Sequence, residues 1–140
     1  MSLKDMLQAD EIERFPHTPE ELDNLLRMAR RRLTDAQLIQ LSPETRLVSA
    51  YQCVLGCAKA ALRRHNYRVA HNYRQHFLMI RSLEFTLGLS PEEVAYCQGL
   101  RSKRHRDEYE GMLEASDTEA DEAVAFAADL LARAIPTGTA

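Results

Sequence analysis

Four segments of the chain open with a residue pattern that starts helices. A Ser or Thr at the N-cap accepts a hydrogen bond from an unpaired backbone amide. A Pro at the next position lacks an N–H group, which costs nothing because that N–H would have no hydrogen-bond partner within the helix. The pattern is Ser/Thr-Pro-Glu in three copies and Ser-Asp-Thr-Glu in the fourth, at residues 18–21, 42–45, 90–93 and 116–119. Glu21 and Glu93 stand at N3 and predict capping boxes. The chain is therefore expected to be mainly helical.

Apolar residues recur with helical period after these starts, as in the stripe of Leu47, Tyr51 and Val54. Gly88 is a predicted C-terminal cap, and Pro136 stops the last helix. We therefore predict helices near residues 19–40, 43–65, 70–87, 91–113 and 117–135. Their short connections favour antiparallel neighbours. The predicted fold class is all-α, an up-and-down bundle of four or five helices over residues 18–136, with an N-terminal arm or short helix (1–17) and a tail (137–140).

The charge of −3 on 140 residues is unevenly distributed. Residues 1–45 hold 6 basic and 9 acidic groups, residues 46–106 hold 11 and 3, and residues 107–140 hold 1 and 9. One interpretation is that the acidic segment packs beside the basic one. The other is that the basic segment forms a surface for a phosphate-bearing partner. The small total charge does not distinguish between these two interpretations.

Two classes of protein are disfavoured by composition and pattern. No apolar run approaches the ~18 residues that a membrane-spanning helix requires, so we expect no membrane partner. The N-terminus, Met1 to Asp5, lacks the basic-then-apolar layout of an export signal, which favours a cytoplasmic protein.

Metal and disulfide chemistry are also disfavoured. Cys53, Cys57 and Cys97 include no Cys-x2-Cys doublet, and we interpret them as core thiols. His71 and His76 are five residues apart, off a common helix face, and are interpreted as surface or hydrogen-bonded histidines. We expect no metal and no cofactor.

The most informative cluster is the run Leu100-Arg101-Ser102-Lys103-Arg104-His105-Arg106 inside the fourth predicted helix. Arg101 and Arg104 share a face, and the planar guanidinium fork suits phosphate. The predicted anion- or RNA-binding residues are Arg101, Lys103, Arg104, His105 and Tyr109. The alternative is an ion-pair network with the acidic residues that follow, Asp107, Glu108 and Glu110.

Over roughly residues 18–135 the sequence resembles the HEPN family (higher eukaryotes and prokaryotes nucleotide-binding domain). The resemblance rests on three stretches, residues 42–51, 58–68 and 100–109. It implies a helical bundle that commonly forms a homodimer, often in toxin–antitoxin or defence systems beside a nucleotidyltransferase-like partner. Many members are ribonucleases whose Arg-x4–6-His motif acts without metal on the RNA 2′-hydroxyl.

This chain has Arg-x4-Tyr where the ribonucleases have Arg-x4–6-His, with Arg104 and Tyr109 at the two positions. Tyrosine, with a reference pKa of about 10, is a poor general base near neutral pH. We therefore expect a binding module for RNA, a nucleotide or a partner protein rather than an enzyme. One alternative is a weak metal-independent ribonuclease that uses Arg104, His105 or Tyr109. Another is a purely structural dimeric protein.

Overall fold

The structure, a computed structural model, describes residues 1–71, 74–111 and 114–136, without the side chains of residues 107–109. This part of the chain forms six helices and two short strands, which confirms the predicted all-α bundle. The elements are α1 (Leu3–Gln8), β1 (Ile12–Arg14), α2 (Pro19–Ala36), α3 (Pro43–Arg64), β2 (Tyr67–Val69), α4 (Gln75–Thr86), α5 (Pro91–Glu110) and α6 (Asp117–Ala134). None of the helices described is long and apolar enough to cross a membrane.

The helix starts follow the sequence signals. The side chains of Thr18, Ser42, Ser90 and Ser116 each accept a hydrogen bond from the backbone amide three residues later. Reciprocal capping boxes form at α5 and α6. The predicted box at Glu21 is wrong in its second half, because the Glu21 carboxylate instead accepts a hydrogen bond from Arg63 at 2.9 Å.

Three helix boundaries differ from the prediction. The helix α5 ends at Glu110 rather than near residue 113, because Gly111 caps it with a φ of +61°. The helix α2 ends at Ala36 rather than near residue 40. The helix α4 begins at Gln75 rather than near residue 70, because β2 and the residues after it occupy that stretch. Tyr73, which belongs to the range predicted for this helix, lies outside the described residues. At the other end Gly88 follows the last turn with a φ of +69°, as a C-terminal cap requires.

The first seventeen residues pack onto the bundle. The strands β1 and β2 pair antiparallel, with Ile12 opposite Val69. Met6 and Ile12 are buried in a small apolar cluster with Leu62 and Leu78. This segment therefore adds a second, smaller core at the C-terminal end of α3.

The main core surrounds α3, which has twelve buried residues along its length. Residues from α2, α4, α5 and α6 complete this core. The three cysteines lie inside it as free thiols, which confirms their interpretation as core residues. Burial raises the pKa of Cys97 to about 12, so this thiol stays protonated at neutral pH.

The crossing of α2 and α3 depends on the absence of a side chain at Gly56. A Cβ atom at this position would lie 2.9 Å from Cβ of Ala29. Gly99, on the exposed side of α5, has nothing within 4 Å of the same added atom.

These two glycines give a matched test of helix packing. Both changes to Ala gain helix propensity, worth roughly 1 kcal/mol. We expect Gly99→Ala to raise the free energy of unfolding by about that amount. Gly56→Ala must push α2 away, so we expect it to be at least ~1 kcal/mol less stable than Gly99→Ala in urea denaturation. Equal stability of the two variants would show that the helices are not in close contact.

Candidate functional site

The basic cluster of α5 is divided between two surroundings. The Nζ atom of Lys103 donates a hydrogen bond to Oε2 of Glu119 at 2.6 Å, which joins α5 to the start of α6. This bond and the backbone amide of Ser116 hold the pKa of Glu119 below its usual value. Lys103 therefore links α5 to α6. It is two residues from Arg101 in sequence and lies on a different face of α5.

Arg101 is half-buried and held in place by Gln98, one turn earlier on α5. Its Nε atom donates to Oε1 of Gln98 at 2.8 Å, and Nε2 of Gln98 donates to the backbone carbonyl of Phe77 at 3.1 Å. The Cζ atom of Arg101 lies 5.7 Å from the centroid of the Phe77 ring. The guanidinium is thus oriented by contacts with both α5 and α4.

Tyr51 of α3, which is close enough to Arg101 and Arg104 to be affected by their charges, forms a hydrogen-bonded pair with His76 of α4. The Tyr51 hydroxyl and Nδ1 of His76 are 3.1 Å apart, and the two rings are tilted by 56°. Burial raises the pKa of Tyr51 to about 12, while the positive charges of Arg101 and Arg104 act in the opposite direction. The phenol therefore remains neutral over the physiological pH range, next to two arginines.

The predicted site residues thus have different positions. The structure brings Arg101 and Arg104 together near Tyr51, and both arginines are half-buried. His105 is exposed on the same helix. The side chain of Tyr109 lies outside the described residues, as do those of Asp107 and Glu108.

Sequence reasoning missed four residues of this site. The sequence pattern places Tyr51 in an apolar stripe and predicts only a surface or hydrogen-bonded histidine at His76. Gln98 stands three residues before Arg101, a spacing at which helix side chains contact each other, and this signal could have identified it. Phe77 carried no signal beyond its apolar character.

Much of the basic segment is neutralised by the acidic segments on either side of it. The ion pairs are Arg46–Asp121, Arg63–Glu21, Arg68–Glu13, Arg81–Glu11 and Lys103–Glu119. The interpretation that the acidic segment packs beside the basic one is therefore confirmed for Arg46 and Lys103, whose partners belong to residues 107–140, whereas the other three partners belong to residues 1–45. Arg101, like Lys59, has no ion-pair partner among the described residues.

Within the described ranges, no group of three or more His, Cys, Asp or Glu side chains is arranged to hold a metal ion. The chain matches no protein-family model, and no curated protein matches its sequence. The site therefore consists of an oriented guanidinium near a hydrogen-bonded pair, in which Tyr51 is buried and His76 is half-buried.

The pKa of Tyr51 has a measurable effect on stability. The folded-state pKa of about 12 exceeds the ordinary value of 10.0. The stability that results is fully present below pH 10 and is lost as pH rises to about 12, because the unfolded state releases its proton first. We expect Tyr51 to account for roughly 2 kcal/mol of the alkaline fall in stability. Tyr51→Phe removes that share, while the share of Cys97, whose pKa is also raised to about 12, remains. Urea denaturation across the alkaline range measures the fall.

The control is Tyr67→Phe, which removes a partly exposed tyrosine of β2. This variant should keep the alkaline fall in stability. The assignment to Tyr51 is contradicted if Tyr51→Phe keeps the whole fall as well.

Proposed function

We propose that this chain is a HEPN-like helical module that binds single-stranded RNA through phosphate contacts at Arg101 and Arg104. The observation that carries the proposal is the state of Arg101: half-buried, fixed by Gln98 and without an ion-pair partner among the described residues. A cation held in this way has lost conformational freedom and part of its hydration before any ligand arrives. An anionic ligand therefore gains more from it than from a mobile surface arginine.

The remaining hydrogen-bond donors of Arg101 suit a phosphate. Arginine has five N–H groups, and only the one on Nε is used by Gln98. The four on Nη1 and Nη2 donate to no side chain or backbone group in the described part of the chain. Two of them can bind phosphate oxygens side by side. The half-buried ring of Phe77 is close enough to offer a stacking surface for a base.

The biological setting that we propose follows from the resemblance and the Arg-x4-Tyr spacing. In this proposal the protein acts in the cytoplasm as a homodimer. Its role is that of an accessory or toxin–antitoxin component, beside a nucleotidyltransferase-like partner. The helical bundle and the site between α3, α4 and α5 are compatible with this setting.

RNA binding can be measured by fluorescence anisotropy with a labelled single-stranded RNA over a series of salt concentrations. We expect the double variant Arg101→Gln/Arg104→Gln to weaken binding about tenfold or more at low salt, because two charge-assisted contacts are lost. The slope of log K against log salt should decrease in magnitude by roughly 1.4.

The matched control is Arg30→Gln/Arg31→Gln, which removes the same charge from an exposed part of α2. This variant should bind RNA nearly as well as the wild type. An equal loss of affinity in both double variants would indicate non-specific attraction. Absence of binding by the wild type at low salt would end the proposal.

One observation also favours the ribonuclease alternative, namely the position of His76. The Arg-x4-Tyr spacing lacks the histidine of the ribonucleases, and His76 supplies another imidazole, which contacts the hydroxyl of Tyr51. The charges of Arg101 and Arg104 act on that same hydroxyl. In such a reaction a base removes the 2′-hydroxyl proton and O2′ attacks phosphorus. The 5′-oxygen then leaves with a proton, and the products are a 2′,3′-cyclic phosphate and a 5′-hydroxyl. Arg104 would stabilise the charge on the phosphorane.

Cleavage of single-stranded RNA in the presence of EDTA tests this second function. If the activity exists, we expect Arg104→Ala to abolish it and His76→Asn to reduce it about 100-fold or more. His105→Asn, at an exposed position of α5, distinguishes the two histidines. Cleavage that persists in Arg104→Ala would assign the activity to a contaminant.

A further inference from the structure

A separate cavity of about 190 Å³ lies between α2, the end of α3, β2 and α4. It shares no residue with the Arg101 site. Its lining combines four apolar side chains with three cations: Leu25, Leu62, Val69 and Met79, and Lys59, Arg63 and Arg68. The cavity is thus apolar with a positively charged edge.

Two of the three cations are already paired. Arg63 lies 2.9 Å from the carboxylate of Glu21, and Arg68 lies 2.7 Å from that of Glu13. The guanidinium carbons of both arginines also lie close to the Phe15 ring, at 4.2 Å and 3.9 Å from its centroid. These contacts hold both arginines in position at the edge of the cavity.

The third cation at this edge has no protein partner. The exposed ammonium of Lys59 forms no ion pair with the residues that the structure describes. The edge therefore presents one uncompensated positive charge.

The size of the cavity limits the ligand. An apolar cavity of about 150 Å³ is known to hold a benzene molecule, so this one accommodates a ring or a short alkyl chain. Pockets for larger organic ligands begin near 300 Å³. To pair with the positive charge at the edge of the cavity, the ligand also needs a single anionic group with oxygen acceptors.

We propose that this cavity binds a small monocarboxylate with an apolar tail of about six carbons. The tail lies against Leu25, Val69 and Met79, and the carboxylate accepts from the ammonium of Lys59. The proposal is independent of RNA binding, because it uses a different part of the bundle.

NMR titration of the methyl groups with hexanoate tests the proposal. We expect saturable shifts of the methyl signals of Leu25, Val69 and Met79, which line the cavity. Hexan-1-ol should shift the same signals with weaker affinity, and hexylamine should not bind, because it has the same charge as the edge. No saturable shift by hexanoate at about 10 mM, or equal binding of hexylamine, would overturn the proposal.

Variants test separately how the charge of Lys59 and the space of the cavity contribute to ligand binding. Lys59→Met should weaken hexanoate two- to fivefold, as expected for one exposed ion pair, and leave hexan-1-ol unchanged. Lys4→Met, at another exposed lysine, is the matched control and should change neither. Leu25→Trp should fill the cavity and abolish binding of both ligands. The same hexanoate affinity in Lys59→Met and Lys4→Met would show that the carboxylate does not lie at this edge.

Discussion

The structure depends on a single helix, α3, that is buried on nearly all sides. Its buried residues include consecutive runs such as Cys53-Val54-Leu55 and Ala60-Ala61-Leu62, which point in all directions around the helix axis. A helix that buries only one stripe needs one neighbour, whereas α3 needs neighbours all around. The helices α2, α4, α5 and α6 and the strand β2 supply them. Small residues at the crossings, Gly56 among them, permit the close approach. Arg46 of α3 is buried as well, although it is charged. Its guanidinium donates hydrogen bonds to the last carbonyl of α2 and to Asp121 of α6.

The candidate site is a consequence of this arrangement. Tyr51 belongs to α3 and is fully buried, so its hydroxyl needs a hydrogen-bond partner inside the protein. His76 of α4 is that partner, and the same contact fixes the orientation of the imidazole. Gln98 then ties the guanidinium to the backbone of α4. Each polar group is thus positioned by helix packing rather than by a loop, which suits a site that must be in place before its ligand binds.

The parts of the structure that sequence predicts are the ones set by neighbouring residues. The starts at Pro19, Pro43, Pro91 and Asp117 agree with the prediction because an N-cap and its amide partner are three residues apart. The small sheet was missed, since strands of three residues have no detectable period and pair residues more than fifty positions apart. The site divides in the same way. Arg101 and Arg104 were identified by their spacing on one helix, whereas the Tyr51–His76 contact joins two helices and no local pattern reports it. Tyr109 stays a prediction.

The distribution of charge acquires a structural meaning from these contacts. The acidic flanks are not repelled to the surface, since Glu11, Glu13 and Glu21 from the N-terminal side and Glu119 and Asp121 from the C-terminal side pair with cations of the middle segment. A uniformly basic face would attract any polyanion with little dependence on position. Here the flanks neutralise the arginines that hold helices together and leave Arg101 without a carboxylate among the described residues. The protein can therefore combine a slightly negative total charge with a localised cation that has no carboxylate partner among the described residues, because the two properties are set by different residues.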